Sequence, residues 1–456
     1  MNTKPRHGTR FLWIDRRCHS RKSLSALLFA TCAMGASSAP NAFAAANDAV
    51  VLRWNEIAVQ TIGEIAPFPA TRAMATVQVA VFEAVNAITR RYQPYRAATS
   101  APPGASEEAA VIIAAHDTLV WLFPAQQGYL DGKQAESLAT IADGLSKDQG
   151  IAVGRAAAAT ITAERTNDGA QVPLFYTSAG TSPYQWEPTP ACANLPASGR
   201  GLFFHWQFVK PFGVESAAQF RAVAPPAILS GRYANDLNEV EAVGDTSNAL
   251  RPPDRAAVAV FYAAQPPHRG WNLVARQLAA ERGADDITRT ARTLAIMNMS
   301  LSDAHITVFE SKYYYTTWRP ETAIADAEND GNRRTSERAG YKPFVTTPCF
   351  PGYPSAHGAG GGAARVVLEH AYGRTTHDIT LTDARAPGIV LSYSDLRTIT
   401  DDVADARVYG GIHFRYDQDA GDRMGTDIGH FNDEHRLLPF NRTEPEQAVA
   451  RPFVVW

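Results

Sequence analysis

Residues 287–318, ITRTARTLAIMNMSLSDAHITVFESKYYYTTW, carry apolar side chains at helical spacing along the whole stretch, and their reading decides the fold class. The same period recurs on both sides. Ala70–Ile88, Glu107–Phe123 and Gln134–Thr166 are Ala-rich with apolar residues three and four apart, and helical patterns return at 234–243, 256–264 and 271–282. Beyond the central stretch they continue at 355–372, 394–407 and 413–430. Few segments alternate with period two, so no substantial sheet is expected. From Asp168 to about Arg200, Pro, Gly, Ser and Thr dominate and predict a long loop or linker. The expected architecture is all-α: one or two helical bundles with long Pro/Gly-rich loops.

The chain has 456 residues, 45% of them hydrophobic and 20% charged, with a formal net charge of −3. That composition belongs to a globular chain rather than a disordered one, and it lacks the basic excess of a nucleic-acid binder. The first 44 residues hold seven Lys/Arg and one acid, then an apolar stretch from Leu24 to Met34 and the sequence Ala42-Phe43-Ala44. This is the pattern of a secretory signal peptide cleaved after Ala44, with an apolar run too short to span a bilayer. Arg16-Arg17 leaves the general and twin-arginine routes both open. Removing this segment takes the net charge to −9 and predicts an acidic periplasmic or secreted protein without a membrane span. Residues 45–456 are expected to form one helical unit, with an N-terminal half to about 250 and a site-bearing half over about 251–440; association into a homo-oligomer stays open. Cys192 and Cys349 remain in proline-rich sequence, where one disulfide or two free thiols are both open.

Common motifs are missing: no Cys-x2-Cys, no His-Glu-x2-His and no phosphate loop ending in Gly-Lys-Ser/Thr. Gly358–Ala363 matches a dinucleotide fingerprint only formally, since no strand precedes it. Asn329-Asp330-Gly331-Asn332 reads as a surface turn.

Three clusters carry the chemistry. The first runs from Lys312 to Pro320 (KYYYTTWRP). Seven residues turn an unbroken helix about 700°, so Lys312 and Arg319 are expected on one face, with Pro320 ending the helix. The second is FPGYPSAHG, from Phe350 to Gly358, where Ser355 is a candidate helix cap and His357 falls in the first turn. Amides at such a helix start attract anions. The glycines that follow cost a helix roughly 1 kcal/mol each relative to Ala, a cost that close approach of a ligand or another helix would offset. The third is RVYGGIHFRYD, from Arg407 to Asp417. Gly410-Gly411 allows a break that turns Arg407 and His413 towards one pocket. Asp417, four residues after His413, can accept one ring N–H and leave the other nitrogen as a ligand or nucleophile. Three cations meeting in a partly dry site would repel one another unless a multiply charged anion neutralised them, and a tetrahedral oxyanion matches their donors.

Lys-x6-Arg-Pro, Pro-Ser-x-His and Arg-x5-His-x3-Asp together resemble the vanadium-dependent haloperoxidase and type 2 phosphatidic-acid-phosphatase superfamily, in particular its exported bacterial haloperoxidases. SKYYYTTWRPETAI, CFPGYPSAHG, VYGGIHFRYD and a single N-terminal helix over 54–88 carry the likeness. The resemblance implies vanadate as cofactor, with phosphate as a competing anion, and hydrogen peroxide, a halide and an optional organic acceptor as reactants. It implies that Lys312, Arg319, Arg407, Ser355 and the amide of Ala356 bind equatorial oxygens. His413 would ligate vanadium apically, oriented by Asp417, and His357 would act as acid and base. Phe350 resembles a residue of the halide pocket. Ala356 stands where the family has Gly, and Ala406 where it has Ser. An acid phosphatase acting through a phosphohistidine at His413 is the alternative reading, because phosphate and vanadate share charge and shape.

Overall fold

A computed structural model describes residues 49–96, 101–177, 182–193, 200–247, 250–282 and 286–440. The expected signal segment lies outside the described residues. The architecture is helical throughout. The first helices are α1 (Ala49–Ile62), α2 (Pro67–Thr89), α3 (Glu107–Leu122), α4 (Gln127–Leu138) and α5 (Leu145–Arg165). After a long irregular stretch come α6 (Gly231–Gly244), α7 (Pro253–Ala264), α8 (Pro267–Glu281), α9 (Ile287–Tyr315) and the short α10 (Pro320–Ala325). Then follow α11 (Ala356–Tyr372), strands β1 (Thr375–Thr382) and β2 (Val390–Asp395), α12 (Leu396–Tyr409) and α13 (Arg415–His435).

Two expected helices are each divided. The 54–88 stretch breaks after Ile62, where Gly63 takes a positive φ of 58° and Pro67 starts α2. The Ala-rich 134–166 run is likewise two helices, separated by Gly144 at φ 143°. The one ordered sheet among the described residues is an antiparallel ribbon of β1 and β2, in which Leu381 faces Leu391 and Ile379 faces Tyr393.

Buried apolar side chains form two clusters. One gathers Trp54, Phe82, Ile112, Leu278 and Leu396 with the first half of α9 and the second half of α11. The other gathers Phe309, Trp318, Tyr353, Phe414 and Ile428 with the second half of α9 and the first half of α11. Helices α9 and α11 therefore run through both, and the candidate site sits in the second. The glycine density of α11 finds its reason in helix contact. A Cβ on Gly362 would meet the Asp422 carbonyl oxygen at 2.4 Å, and one on Gly425 would meet that of Ala359 at 1.9 Å. Bare backbone lets α11 and α13 touch there, offsetting the propensity cost.

Cys192 and Cys349 are joined in a disulfide with Cα atoms 5.5 Å apart. The Leu202 amide donates to the Cys349 carbonyl at 2.8 Å beside it, so the long Pro-rich segment is fastened next to Phe350. Among the described residues no single helix is long and apolar enough to cross a membrane.

Candidate active site

Lys312 and Arg319 meet, but not from one helix face. Helix α9 ends at Tyr315, where Thr316 takes the left-handed conformation (φ 48°) and its amide caps the Lys312 carbonyl. Arg319 lies beyond, as the residue preceding α10, and Pro320 starts that helix rather than ending the previous one. Both side chains are fully buried. The Lys312 ammonium donates to the carbonyls of Pro351 (2.9 Å) and Gly352 (2.6 Å), which uses two of its three protons. Arg319 donates to the Phe350 carbonyl at 2.9 Å and the Ile412 carbonyl at 3.0 Å, which binds the second cluster to the third.

The second cluster forms as expected. Ser355 caps α11 through its hydroxyl, which accepts from the Gly358 amide at 3.2 Å. Its own amide donates to the Asp417 carbonyl at 2.9 Å, so the start of α11 is hung on the start of α13. His357 is partly buried in the first turn. The methyl of Ala356 packs in the second apolar cluster and Ala406 in the first, so both departures from the family pattern are filled by hydrocarbon.

In the third cluster α12 stops at Tyr409 and the chain reverses at Gly410-Gly411, where Gly411 has a φ of 78°. His413 is not on α13 but two residues before it, while Asp417 sits in its first turn. The pair still meets. Nδ1 of His413 lies 2.8 Å from Asp417 Oδ2, and the Phe414 amide also donates to that oxygen at 3.2 Å. The other ring nitrogen, Nε2, faces the Arg319 guanidinium at 2.9 Å. A guanidinium only donates, so Nε2 carries the lone pair and Nδ1 the proton. Asp417 thus fixes the tautomer that leaves Nε2 available.

The electrostatics follow from burial. Lys312, Arg319 and Arg407 are buried with one carboxylate, Asp417, among them. Burial, with the neighbouring cations, holds Lys312 well below its ordinary value and lowers Arg319 to about 9. Burial alone lowers Arg407 to about 10. His357 and His413 are both held well below the ordinary histidine value by burial and by the same cations. Asp417 is pushed up to about 7 by burial, against the pull of Lys312 and Arg319. Two unit charges about 5 Å apart repel by roughly 3 kcal/mol at an effective dielectric of 20, so this excess positive charge is costly on its own. Arg319 Nη2 and Arg407 Nε are buried donors without a hydrogen-bond partner. Such orphans ask for an acceptor. The donor set fits a tetrahedral oxyanion: three cations, a helix-start amide and one imidazole lone pair. It does not fit a bare metal cation, which the lysine and arginines would repel.

Phe350 stands beside this centre, with the Lys312 nitrogen 5.4 Å and the Arg319 guanidinium carbon 5.1 Å from its ring centre. It packs edge-on against Phe68 and Phe309. One residue that no motif pointed to lies at the same place. His305 is fully buried on α9, two turns before Lys312 and on the same face, and a Cβ on Gly360 of α11 would meet its Nε2 at 3.0 Å. That seven-residue spacing was the signal available in the sequence.

Three buried cations and a helix start gathered around one oriented imidazole are, as a class, the donor set that suits an oxyanion. The model of the VCPO second helical-bundle domain matches residues 292–441, which contain all three clusters. The first bacterial vanadium-dependent iodoperoxidase, as a solved structure, is 27% identical, with a TM-score of 0.69 over 86% of this chain and 97% of its own. A bacterial vanadium-dependent chloroperoxidase in its holo form shares the fold at 16% identity, with a TM-score of 0.67 over 82% of this chain and 93% of its own. No curated protein matches at the level of sequence. Residues 292–441 thus match the VCPO second helical-bundle domain, and the chain shares its fold with bacterial vanadium haloperoxidases.

Proposed function

We propose that the protein is a vanadate-dependent haloperoxidase, converting hydrogen peroxide, a halide and one proton into hypohalous acid and water. The observation that carries this reading is the His413 Nε2 lone pair, held by Asp417 in a nest of three buried cations whose free donors point to an oxyanion. Bound vanadate would supply a pentavalent Lewis acid on which peroxide becomes open to halide attack. The chain's own residues do the rest. His413 would hold the metal through Nε2, with Asp417 keeping the proton on Nδ1. Arg319, Arg407 and the remaining proton of Lys312 would balance the charge of the oxygens, together with the amide of Ala356 and Ser355. His357, neutral because of its surroundings, is suited to take a proton from peroxide and return one to the leaving oxygen. Phe350 would line the halide's approach.

Of the two relatives compared, the iodoperoxidase alone exceeds 25% identity, so iodide is the first halide to assay, followed by bromide and chloride. We also propose export, with residues 1–44 as the signal. The Cys192–Cys349 bridge supports this, since such bonds persist in oxidising compartments. A mature protein beginning at Ala45 is the expected result of N-terminal sequencing. The decisive experiment adds orthovanadate to the purified protein and assays peroxide-dependent halogenation beside phosphate-ester hydrolysis. Halogenation that needs vanadate, is inhibited by phosphate and disappears in His413→Ala is expected. Hydrolysis without halogenation would replace this reading with that of a phosphatase.

A further inference from the structure

Helix α13 carries no cap of its own. The residue before it is Phe414, whose side chain has no oxygen to receive an amide, yet the first turn of this helix holds Asp417. The missing acceptor comes from 180 residues away: the Tyr416 amide, second in the helix, donates to Oδ2 of Asp236 on α6 at 2.8 Å. Asp236 is buried, and the Arg232 guanidinium, one turn back on α6, donates to the same oxygen at 3.0 Å. That second contact keeps the carboxylate turned towards α13. A carboxylate at a helix start also meets the positive end of the helix dipole.

Helix α6 touches the same stretch of chain at three further points. The Tyr233 ring is fully buried, stacked on Trp318 with centres 6.4 Å apart and 6.0 Å from the Phe414 ring. It therefore packs against the residues next to Arg319 and His413. Glu239 holds the Arg415 guanidinium at 2.6 Å, with Asp405 of α12 on the same group at 2.8 Å. A Cβ on Gly244 would meet the Gly411 Cα at 2.5 Å, where the chain reverses before His413. These contacts fix the backbone on both sides of the histidine. The consequence reaches the site through one atom. Asp417 Oδ2 takes both the His413 ring proton and the Phe414 amide, so it orients the imidazole only while the first turn of α13 stays wound.

We infer that Asp236 is a positioning residue for the His413–Asp417 pair: as a cap supplied by α6, it holds the first turn of α13 and with it the carboxylate that keeps the His413 proton on Nδ1. The use of His413 towards vanadate rests on the proposed function; its tautomer does not.

Nitrogen-15 NMR of histidine-labelled protein tests it, with His413 assigned by comparison with His413→Gln. The wild type is expected to show one fixed neutral tautomer at His413, protonated on Nδ1. In Asp236→Ala its nitrogen signals should move towards the average of both tautomers, and affinity for inorganic phosphate should fall about tenfold. Asp236→Asn, whose amide oxygen can still accept from Tyr416, should restore the signals and bring phosphate affinity within about threefold of wild type. Ser106→Ala removes the side-chain cap of α3, which packs in the first apolar cluster, and should change neither readout. Asp236→Ser, whose hydroxyl stops one bond short of the Tyr416 amide, should behave as Asp236→Ala and carries the test if that variant does not fold. Unchanged His413 signals in the folded Ala or Ser variant would overturn the inference. So would an Asp236→Asn variant as impaired as Asp236→Ala, or an equal loss in Ser106→Ala. If the wild type shows no halogenation, the proposed function fails, and the spectra and phosphate titration still decide the role of Asp236.

Discussion

Arg407→Met is expected to make the anion-free protein more stable while weakening its hold on the anion. The guanidinium reaches one carbonyl, that of Tyr262, at a long 3.5 Å, and its Nε has no partner. Burial takes it from an ordinary 12.5 to about 10, which corresponds to a cost of about 3 kcal/mol for keeping it charged in the empty site. Methionine fills a similar volume without that cost. After allowance for lost packing, a gain of about 1–2 kcal/mol is expected in urea unfolding without anion. With anion the sign reverses. A guanidinium bonded to a charged oxygen contributes about 1.5–3 kcal/mol, so the dissociation constant for orthovanadate should rise about 10- to 100-fold by calorimetry. The stabilisation that vanadate gives should shrink by the same energy. A variant that unfolds more easily when empty yet binds vanadate within threefold of wild type would refute the claim that Arg407 is a stored charge awaiting an anion.

Asp417→Asn should keep the fold but lower vanadate affinity or halogenation about 10- to 100-fold, since the amide can hold the His413 ring without fixing its proton; calorimetry and initial rates check this. His268 and His305 are fully buried, and burial lowers them to about 3 and about 4. Both stay neutral in the fold where the unfolded chain would take a proton near pH 6.5. Their stability contribution is therefore complete above that pH and lost below it, by about 1.4 kcal/mol per pH unit for each ring. Melting temperature should fall between pH 6.5 and 5, and His268→Asn should flatten the slope. Cys192→Ser opens a link spanning 157 residues and should cost about 2–5 kcal/mol in denaturant unfolding, with anion affinity retained.

That the three clusters meet was legible because they are short motifs whose spacing survives small errors in helix ends. His413 and Asp417 meet although the histidine precedes α13 rather than riding on it, because a four-residue reach closes equally well across a helix start. Lys312 and Arg319 do not share a helix face for a local reason. Thr316 ends α9 in a left-handed conformation that a β-branched residue rarely adopts, and no Gly or Asn marked the stop. Composition alone runs 54–88 and 134–166 each as one helix, because it does not show that Gly63 and Gly144 take a positive φ where the chain leaves or enters a helix. Apart from its spacing from Lys312, nothing in the sequence singles out His305, since Thr71, whose hydroxyl meets its Nδ1, is 234 residues away and a lone histidine on an amphipathic helix carries no pattern. The choice between one bridge and two thiols needed the same long-range information.

The bare contact between α11 and α13 has a consequence for how this centre can change. With the Ser355 carbonyl close to where a Cβ on Gly421 would stand, the spacing between α11, which carries His357, and α13, which starts two residues after His413, is set there by main chain alone. Neither mutation nor selection has a methylene to add or trim there, so the gap between the rings behaves as a gauge without an adjusting screw. Around Phe350 and the bridged loop, by contrast, side chains of different size can be exchanged without moving the gauge.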